Sequence, residues 1–346
     1  MTERNRYDYL DIAKGLGILA VVWAHIMLTG WSHRVIYAFH MPLFFFISGM
    51  LFRRERFSSM GQFVQKRMKR LFVPYVAYSV ATWAIWALFR MARHDEVESY
   101  WMPLAQTVIA QGSGAFMVHN SALWFVPCLF ATELMFFPLS RLRDWQMLSV
   151  SLVLAGLSFM FGDFFGGDYW FLLPWNLDAA LIALPFYCVG NIISRHTTHQ
   201  QLVSYANRHG WHVLLITLLL TVLLVTGSEM FGECSMGSSS YQCNGGIFLI
   251  RAFIGCLAML GLSLLLGRYQ TGILRFVKWM GINSLDVMCV HIPIKGVAMI
   301  AVAFLLKSTV DEISNSLSLS TVAFVLTMIA VSVLVYVVRH VVFKKK

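Results

Sequence analysis

Three ionisable side chains share one apolar stretch near the start of the chain, "DIAKGLGILAVVWAH", residues 11–25: Asp11, Lys14 and His25. Asp11 precedes Lys14 by three residues, close enough for an ion pair within a helix. Lys14 and His25 are eleven residues apart. On a helix this is three turns plus roughly 20°, so both fall on one face, about 16 Å apart along the axis. An imidazole titrates near neutral pH and serves as a general base or a proton relay. Such a group at depth in an apolar helix is costly and usually functional. The plainer alternatives are a Lys14 that snorkels from a helix end and a His25 that bonds neighbouring helices together.

Two further stretches carry matching chemistry. In "AFHMPLFFFISGML", read as running back across from the first, His40 falls at a depth similar to that of His25. Ser48 and Gly49 lie deeper; Ser48 can bond across or back to its own helix, and Gly49 permits close approach. His40, two residues before Pro42, is alternatively a helix-start feature. In "GINSLDVMCVHIPIKG", Asp286, His291 and Lys295 appear, the last two one turn apart on a shared face. His291 reads as a residue that supports the site or lines its pore, with a packing histidine as the alternative. Glu133 and Arg251 are further ionisable groups inside apolar runs.

The elements that must position these residues are membrane spans. Of 346 residues, 58% are hydrophobic and 13% charged, and the mean hydropathy is +0.67, whereas soluble domains carry about a quarter charged residues. Apolar runs near the ~20 residues needed to cross a bilayer predict ten spans: 10–30, 34–52, 71–91, 121–140, 147–165, 176–194, 212–228, 247–267, 281–303 and 320–340. The expected fold is all-α: a polytopic membrane helix bundle forming one integral membrane domain over 1–346, without internal repeats and without a cleaved leader. Twenty of the 27 basic residues fall on one set of connections, while acids such as Asp95, Glu96, Glu98, Asp163, Asp168, Glu229, Glu233, Asp311 and Glu312 fall on the other. This bias predicts cytoplasmic N- and C-termini. It also accounts for the net charge of +10 without nucleic acid as a partner.

The densest basic connection, "RRERFSSMGQFVQKRMKRLFVPY", ends in Arg67, Lys69 and Arg70 just before the third span. It suits an anchor on anionic lipid or a cradle for a phosphorylated ligand from the cytoplasm. Cys128, Cys188, Cys256 and Cys289 fall in spans, as small packers. Cys234 and Cys243 share the outer loop "GECSMGSSSYQCNGG", where a disulfide can form. Trp124 suits an interfacial belt or a sugar-stacking platform, as do Tyr169, Trp170 and Trp175 with Asp163 and Asp168. His119 reads as a plain loop residue. His196, His199, His209 and His212 read as solvated, with no zinc spacing and no metal expected.

Five stretches occur in an order that resembles the acyltransferase-3 family of bacterial membrane proteins, with the flavour of its fucose 4-O-acetylase-like branch: "YLDIAKGLGILAVVWAH", "FHMPLFFFISGMLF", "QKRMKRLFVPY", "LWFVPCLF" and "GINSLDVMCVHIPI". The resemblance covers essentially the whole chain. It implies about ten helices in the bacterial cytoplasmic (inner) membrane. It also implies transfer of an acyl group, often acetyl from acetyl-CoA, to a hydroxyl of a surface glycan or lipid-linked sugar. The family's first-span pattern of a basic residue, ten others and a histidine maps to Lys14 and His25. Many members carry arginine at the first position, and lysine lacks its two-pronged contact. The basic motif maps to Arg67, Arg70 and Pro74, the aromatic motif to Trp124 and Phe125, and the small polar motif to Ser48 and Gly49.

Under that resemblance His25 is the base for the sugar hydroxyl or carries the acyl group itself, and His40 or Ser48 steadies the oxyanion or orients the base. Lys14, Arg67, Lys69 and Arg70 hold the phosphates of acetyl-CoA. Asp11, Trp124, Asp286 and His291 support the site or meet the substrate. Membrane lipids are the remaining partners. The competing class is a secondary transporter or flippase for a sugar or lipid-linked glycan, whose intramembrane Asp, Lys and His form a proton relay.

Overall fold

The computed structural model describes residues 7–112, 116–165, 173–237, 240–241 and 243–342, with the side chains of 162–165, 240–241 and 341–342 left aside. Asp168, Tyr169 and Trp170, and the side chain of Asp163, fall outside the described residues. Among the described residues, ten helices are long and apolar enough to cross a bilayer. Nine of them coincide with the expected runs within a few residues, the third begins at Met60 and not at 71, and the protein is a polytopic helical bundle.

The chain divides into two compact units, Met1–Ile47 with Ser194–Cys234 and Gln242–Lys346, and Ser48–Ile193 with Ser235–Tyr241. The first unit is built around α1 (Asp8–Ile26). With it go the first part of α2 (Trp31–Leu51), α9 (His199–Arg208), α10 (Gly210–Met230), α11 (Gly245–Leu266), α12 (Gly272–Ile282), α13 (Ser284–Leu306), α14 (Val310–Asn315) and α15 (Leu317–Val337). α1 packs against α11, α12, α13 and α15. Its apolar residues Ile18 and Val22 are fully buried. α12 lies very close to α1 because both carry glycines: a Cβ on Gly15 would overlap the Val277 carbonyl, and one on Gly281 the Asp11 carbonyl. Sequence reading took 268–280 as a connection. It is mostly α12, an 11-residue helix that Thr271 caps by accepting from Leu274 N–H at 3.2 Å.

The second unit holds the end of α2 together with α3 (Met60–Arg67), α4 (Val73–Ala92), α5 (Met102–Ile109), α6 (Phe125–Leu139), α7 (Asp144–Phe165) and most of α8 (Leu177–His196). α2 meets α8 at Gly49, where any Cβ would overlap the Tyr187 carbonyl; the expected close approach at Gly49 is there. Between α3 and α4 the helix does not break. Met68–Phe72 form a π turn, in which Val73 N–H bonds Met68 O. Pro74 has no N–H and its ring crowds the Arg70 carbonyl, and one wide turn absorbs both. The third span is therefore a continuous helix, Met60–Ala92. Arg67, Lys69 and Arg70 lie within it, not in a connection ahead of it.

Candidate active site

In the first unit, His25 lies in the last turn of α1, one residue from its end and not several residues inside it. The last carbonyls of a helix have no partner within it. Lys295 Nζ, from α13, donates to the His25 carbonyl oxygen at 3.1 Å. An ammonium at a helix C-terminus also opposes the negative end of the helix dipole. The His291 ring, one turn earlier on α13, sits 5.2 Å from the His25 ring. His291 is fully buried. Its Nδ1 faces the Met288 carbonyl at 2.9 Å; a carbonyl only accepts, so Nδ1 holds the proton and Nε2 is left with a bare lone pair. That Nε2 has no hydrogen-bond partner among the described residues. His291 and Lys295 share a face, as their spacing implied, and that face is turned to the end of α1.

α2 presents a second row to His25. His33, Tyr37 and His40 are spaced by four and three residues and fall on one stripe. The Tyr37 ring is edge-on to His25 at 6.3 Å and to His40 at 4.9 Å. His40 is not a helix-start residue, since α2 begins at Trp31. It is also several residues further from the α1–α2 turn than His25, so the two are not at matched depth, and Tyr37 is the ring between them. His40 Nδ1 donates to the Ile36 carbonyl at 2.8 Å, which again directs the bare lone pair to Nε2. Sequence reasoning missed Tyr37, although its place between two histidines one turn away on either side was a usable signal.

At the other end of α1, Asp11 and Lys14 form the expected ion pair at 2.6 Å. Lys14 thus carries a paired charge. Asp286, in the first turn of α13, is bound by Arg339, whose Nε donates to it at 2.7 Å. This contact ties α13 to the turn that follows α15. Tyr9 and His199 share a hydrogen bond at 2.6 Å, with the His199 ring stacked on Tyr7 at 3.6 Å. His199 is therefore buried packing rather than solvated. The disulfide between Cys234 and Cys243 is formed.

In the second unit, Arg67 Nε lies 3.1 Å from Glu133 Oε2, and Tyr187 Oη donates to Glu133 Oε1 at 3.4 Å. Glu133 is 3% exposed, so its charge depends on this pair. Lys69 and Arg70 are exposed. Ser48 lies in the last turn of α2, partly accessible. Trp124 is buried, its ring closed in by Gly112 and Gly237. Asn176 ties those two segments together, accepting from Gly112 N–H and donating to the Gly237 carbonyl, both at 2.8 Å. Neither an interfacial belt nor an open stacking platform describes that ring. His119 is no plain loop residue: it is 2% exposed, and neither ring nitrogen has a partner among the described residues.

Collected imidazoles with one ammonium suit proton transfer and acyl transfer, and among the described residues no three His, Cys, Asp or Glu are grouped to hold a metal ion. No curated protein and no solved structure matches the chain. A family profile, the acyltransferase domain of the acyltransferase-3 group, matches residues 7–337. With that match over nearly the whole chain and ten candidate spans among the described residues, the chain belongs to the acyltransferase-3 family and is a multi-pass membrane acyltransferase.

Proposed function

We propose that the protein is a bacterial inner-membrane O-acetyltransferase that moves acetyl from cytoplasmic acetyl-CoA to a sugar hydroxyl of a surface or lipid-linked glycan. The observation that carries this reading is the setting of His25: a ring beside His291 and Tyr37, on a helix end fixed by Lys295. A base must be oriented as well as present. The bare Nε2 of His291, which makes no direct hydrogen bond to the described residues, is an acceptor that a water can link to one N–H of His25. This leaves the other nitrogen of His25 with the lone pair that takes the hydroxyl proton.

The step balances with the groups present. The hydroxyl oxygen bonds to the acetyl carbon as its proton passes to His25. The tetrahedral oxyanion collapses, the carbon–sulfur bond breaks, and His25 returns the proton to the coenzyme A thiolate. In the covalent variant the acetyl group passes first to His25 and then to the sugar. Ser48 is the donor candidate for the oxyanion; His40, whose Nδ1–H is committed to the Ile36 carbonyl, keeps only an acceptor lone pair, which suits orienting the base. Lys69 and Arg70 are the phosphate ligands on the side that the charge bias makes cytoplasmic, and Arg67, held against Glu133, contributes less. Lys14, already paired with Asp11, contributes less than a free cation would.

The test supplies labelled acetyl-CoA to inside-out membrane vesicles with an acceptor glycan. Wild-type protein should label the glycan, and His25→Ala should lower labelling by at least about a hundredfold, the usual range for a general base. Full labelling by His25→Ala refutes the assignment. Movement of sugar across the membrane without label identifies a transporter or flippase instead. His291→Asn, which keeps an acceptor oxygen, should retain more kcat than His291→Phe and displace the pH profile of kcat.

A further inference from the structure

The histidine–tyrosine row continues past His25 to solvent. His33 stacks on Tyr37 with ring centres 4.1 Å apart. Glu233 Oε1 lies 3.4 Å from His33 Nδ1. That nitrogen has no aligned hydrogen bond among the described residues, although His33 is only 8% exposed. The Glu233 side chain is 45% exposed. Glu233, His33, Tyr37 and His25 therefore form a row from the surface to the candidate base, with steps of 3.4, 4.1 and 6.3 Å.

Glu233 is also held in place. The next residue, Cys234, is bonded to Cys243. On its other side, Arg251 Nη1 donates to the Gly232 carbonyl at 3.1 Å, and Nη2 donates to Ser228 Oγ at 3.2 Å. Arg251 is 3% exposed, so a buried guanidinium and a disulfide brace the short segment that carries one exposed carboxylate. Solubility of a loop needs no such brace; positioning does. The neighbouring charges, Arg34 and Glu229, cancel each other in an ion pair at 2.6 Å. The mouth of the row thus presents the Glu233 carboxylate, with the buried His33 ring behind it and the partly accessible Tyr37 ring stacked on His33.

We propose that Glu233, His33 and Tyr37 form the acceptor subsite and that it takes a neutral sugar. Glu233 accepts hydroxyl hydrogens, the accessible part of the Tyr37 ring meets the sugar's C–H face, the buried His33 ring backs both, and the reacting hydroxyl is directed toward His25. A lone carboxylate at the entrance repels uronic acids. The proposal deepens the acetyltransferase reading and rests on it for the purpose of the subsite, but binding can be measured separately from transfer.

The experiment is saturation-transfer NMR on the full-length protein in lipid nanodiscs, with methyl fucoside, methyl galactoside and methyl glucuronide as probes. A neutral glycoside should receive saturation from wild-type protein. Its binding should weaken about tenfold in Glu233→Gln and in Tyr37→Ala, while Glu233→Asp, which keeps the charge, retains part of it. The glucuronide should bind Glu233→Gln better than wild type. Equal binding of the neutral probes to wild type and Glu233→Gln overturns the proposal, and so does the absence of binding to wild type. If binding behaves as expected but label from acetyl-CoA reaches no glycan, the sugar subsite stands and the acetyltransferase reading falls.

Discussion

Arg67→Met should strand a carboxylate. Glu133 is 3% exposed and faces Arg67 at 3.1 Å. Removing one partner of a buried ion pair costs about 3–5 kcal/mol, because the remaining charge is left without compensation. Here the lower end applies, since Tyr187 still donates to the carboxylate at 3.4 Å and the Arg70 guanidinium still attracts it. Glu133→Gln is milder: the amide keeps an acceptor for Tyr187, and the Arg67 side chain, 13% exposed, retains some hydration. That change costs about 1–2 kcal/mol. The double variant has neither charge, so it should also cost about 1–2 kcal/mol, where simple addition gives about 4–5. The coupling is then about 3 kcal/mol, at the upper end for residues in contact. Thermal unfolding of the purified protein in mild detergent reads it directly, with a fall of roughly 6–12 °C for Arg67→Met at about 2–4 °C per kcal/mol. The double variant should recover about half of that fall. Additivity within about 0.5 kcal/mol would refute the reasoning, because it would mean that Glu133 is not charged against Arg67.

Three other perturbations have defined outcomes. Lys295→Met removes a charged hydrogen bond and the C-terminal cap of α1, about 2 kcal/mol; kcat should fall ten- to thirtyfold, Lys295→Arg should restore most of it, and an unchanged kcat in acetyl-transfer assays rules out the cap. Reducing the Cys234–Cys243 bridge, which closes a span of nine residues, should lower stability by about 2–3 kcal/mol, read as a lower unfolding temperature in dithiothreitol that Cys234→Ser abolishes. Burial holds the His119 pKa down to about 4, below the ~6.5 of an unfolded chain; its contribution to stability is therefore complete above about pH 6.5 and is lost as pH falls toward 4, by up to about 3 kcal/mol, and His119→Phe should flatten unfolding-temperature curves over that window.

The spans were legible because lipid imposes length and apolarity on each of them, and this signal survives without any tertiary information. The pairing of Lys14 with Asp11 and the shared face of His291 and Lys295 followed from helical spacing alone. What failed was depth. Sequence hydropathy let the first span run to residue 30, but α1 stops at Ile26 and α2 already starts at Trp31. That shift moved His25 to a helix end and His40 well into a helix. The basic motif was misplaced for a local reason, the π turn ahead of Pro74, which hydropathy does not register. Burial of polar groups was the least legible feature. His119, His199 and Trp124 were read from their neighbours in sequence, whereas tertiary packing decides their surroundings. The row Glu233–His33–Tyr37 joins two distant segments, so only its α2 half could have been seen.

The position of His25 in the last turn explains why the site recruits a lysine from another helix. A histidine in mid-helix would have its backbone carbonyl satisfied four residues on. In the last turn that carbonyl has no such partner, and a frayed turn would free the ring along with the backbone. Lys295 supplies the missing donor from α13, the helix that also carries His291. One rigid element thus fixes the backbone of His25 and places an acceptor lone pair beside its ring. Gly15 and Gly281 let α12 press against the opposite part of α1, so α1 is held at both ends, with its charged pair at one and its imidazole at the other.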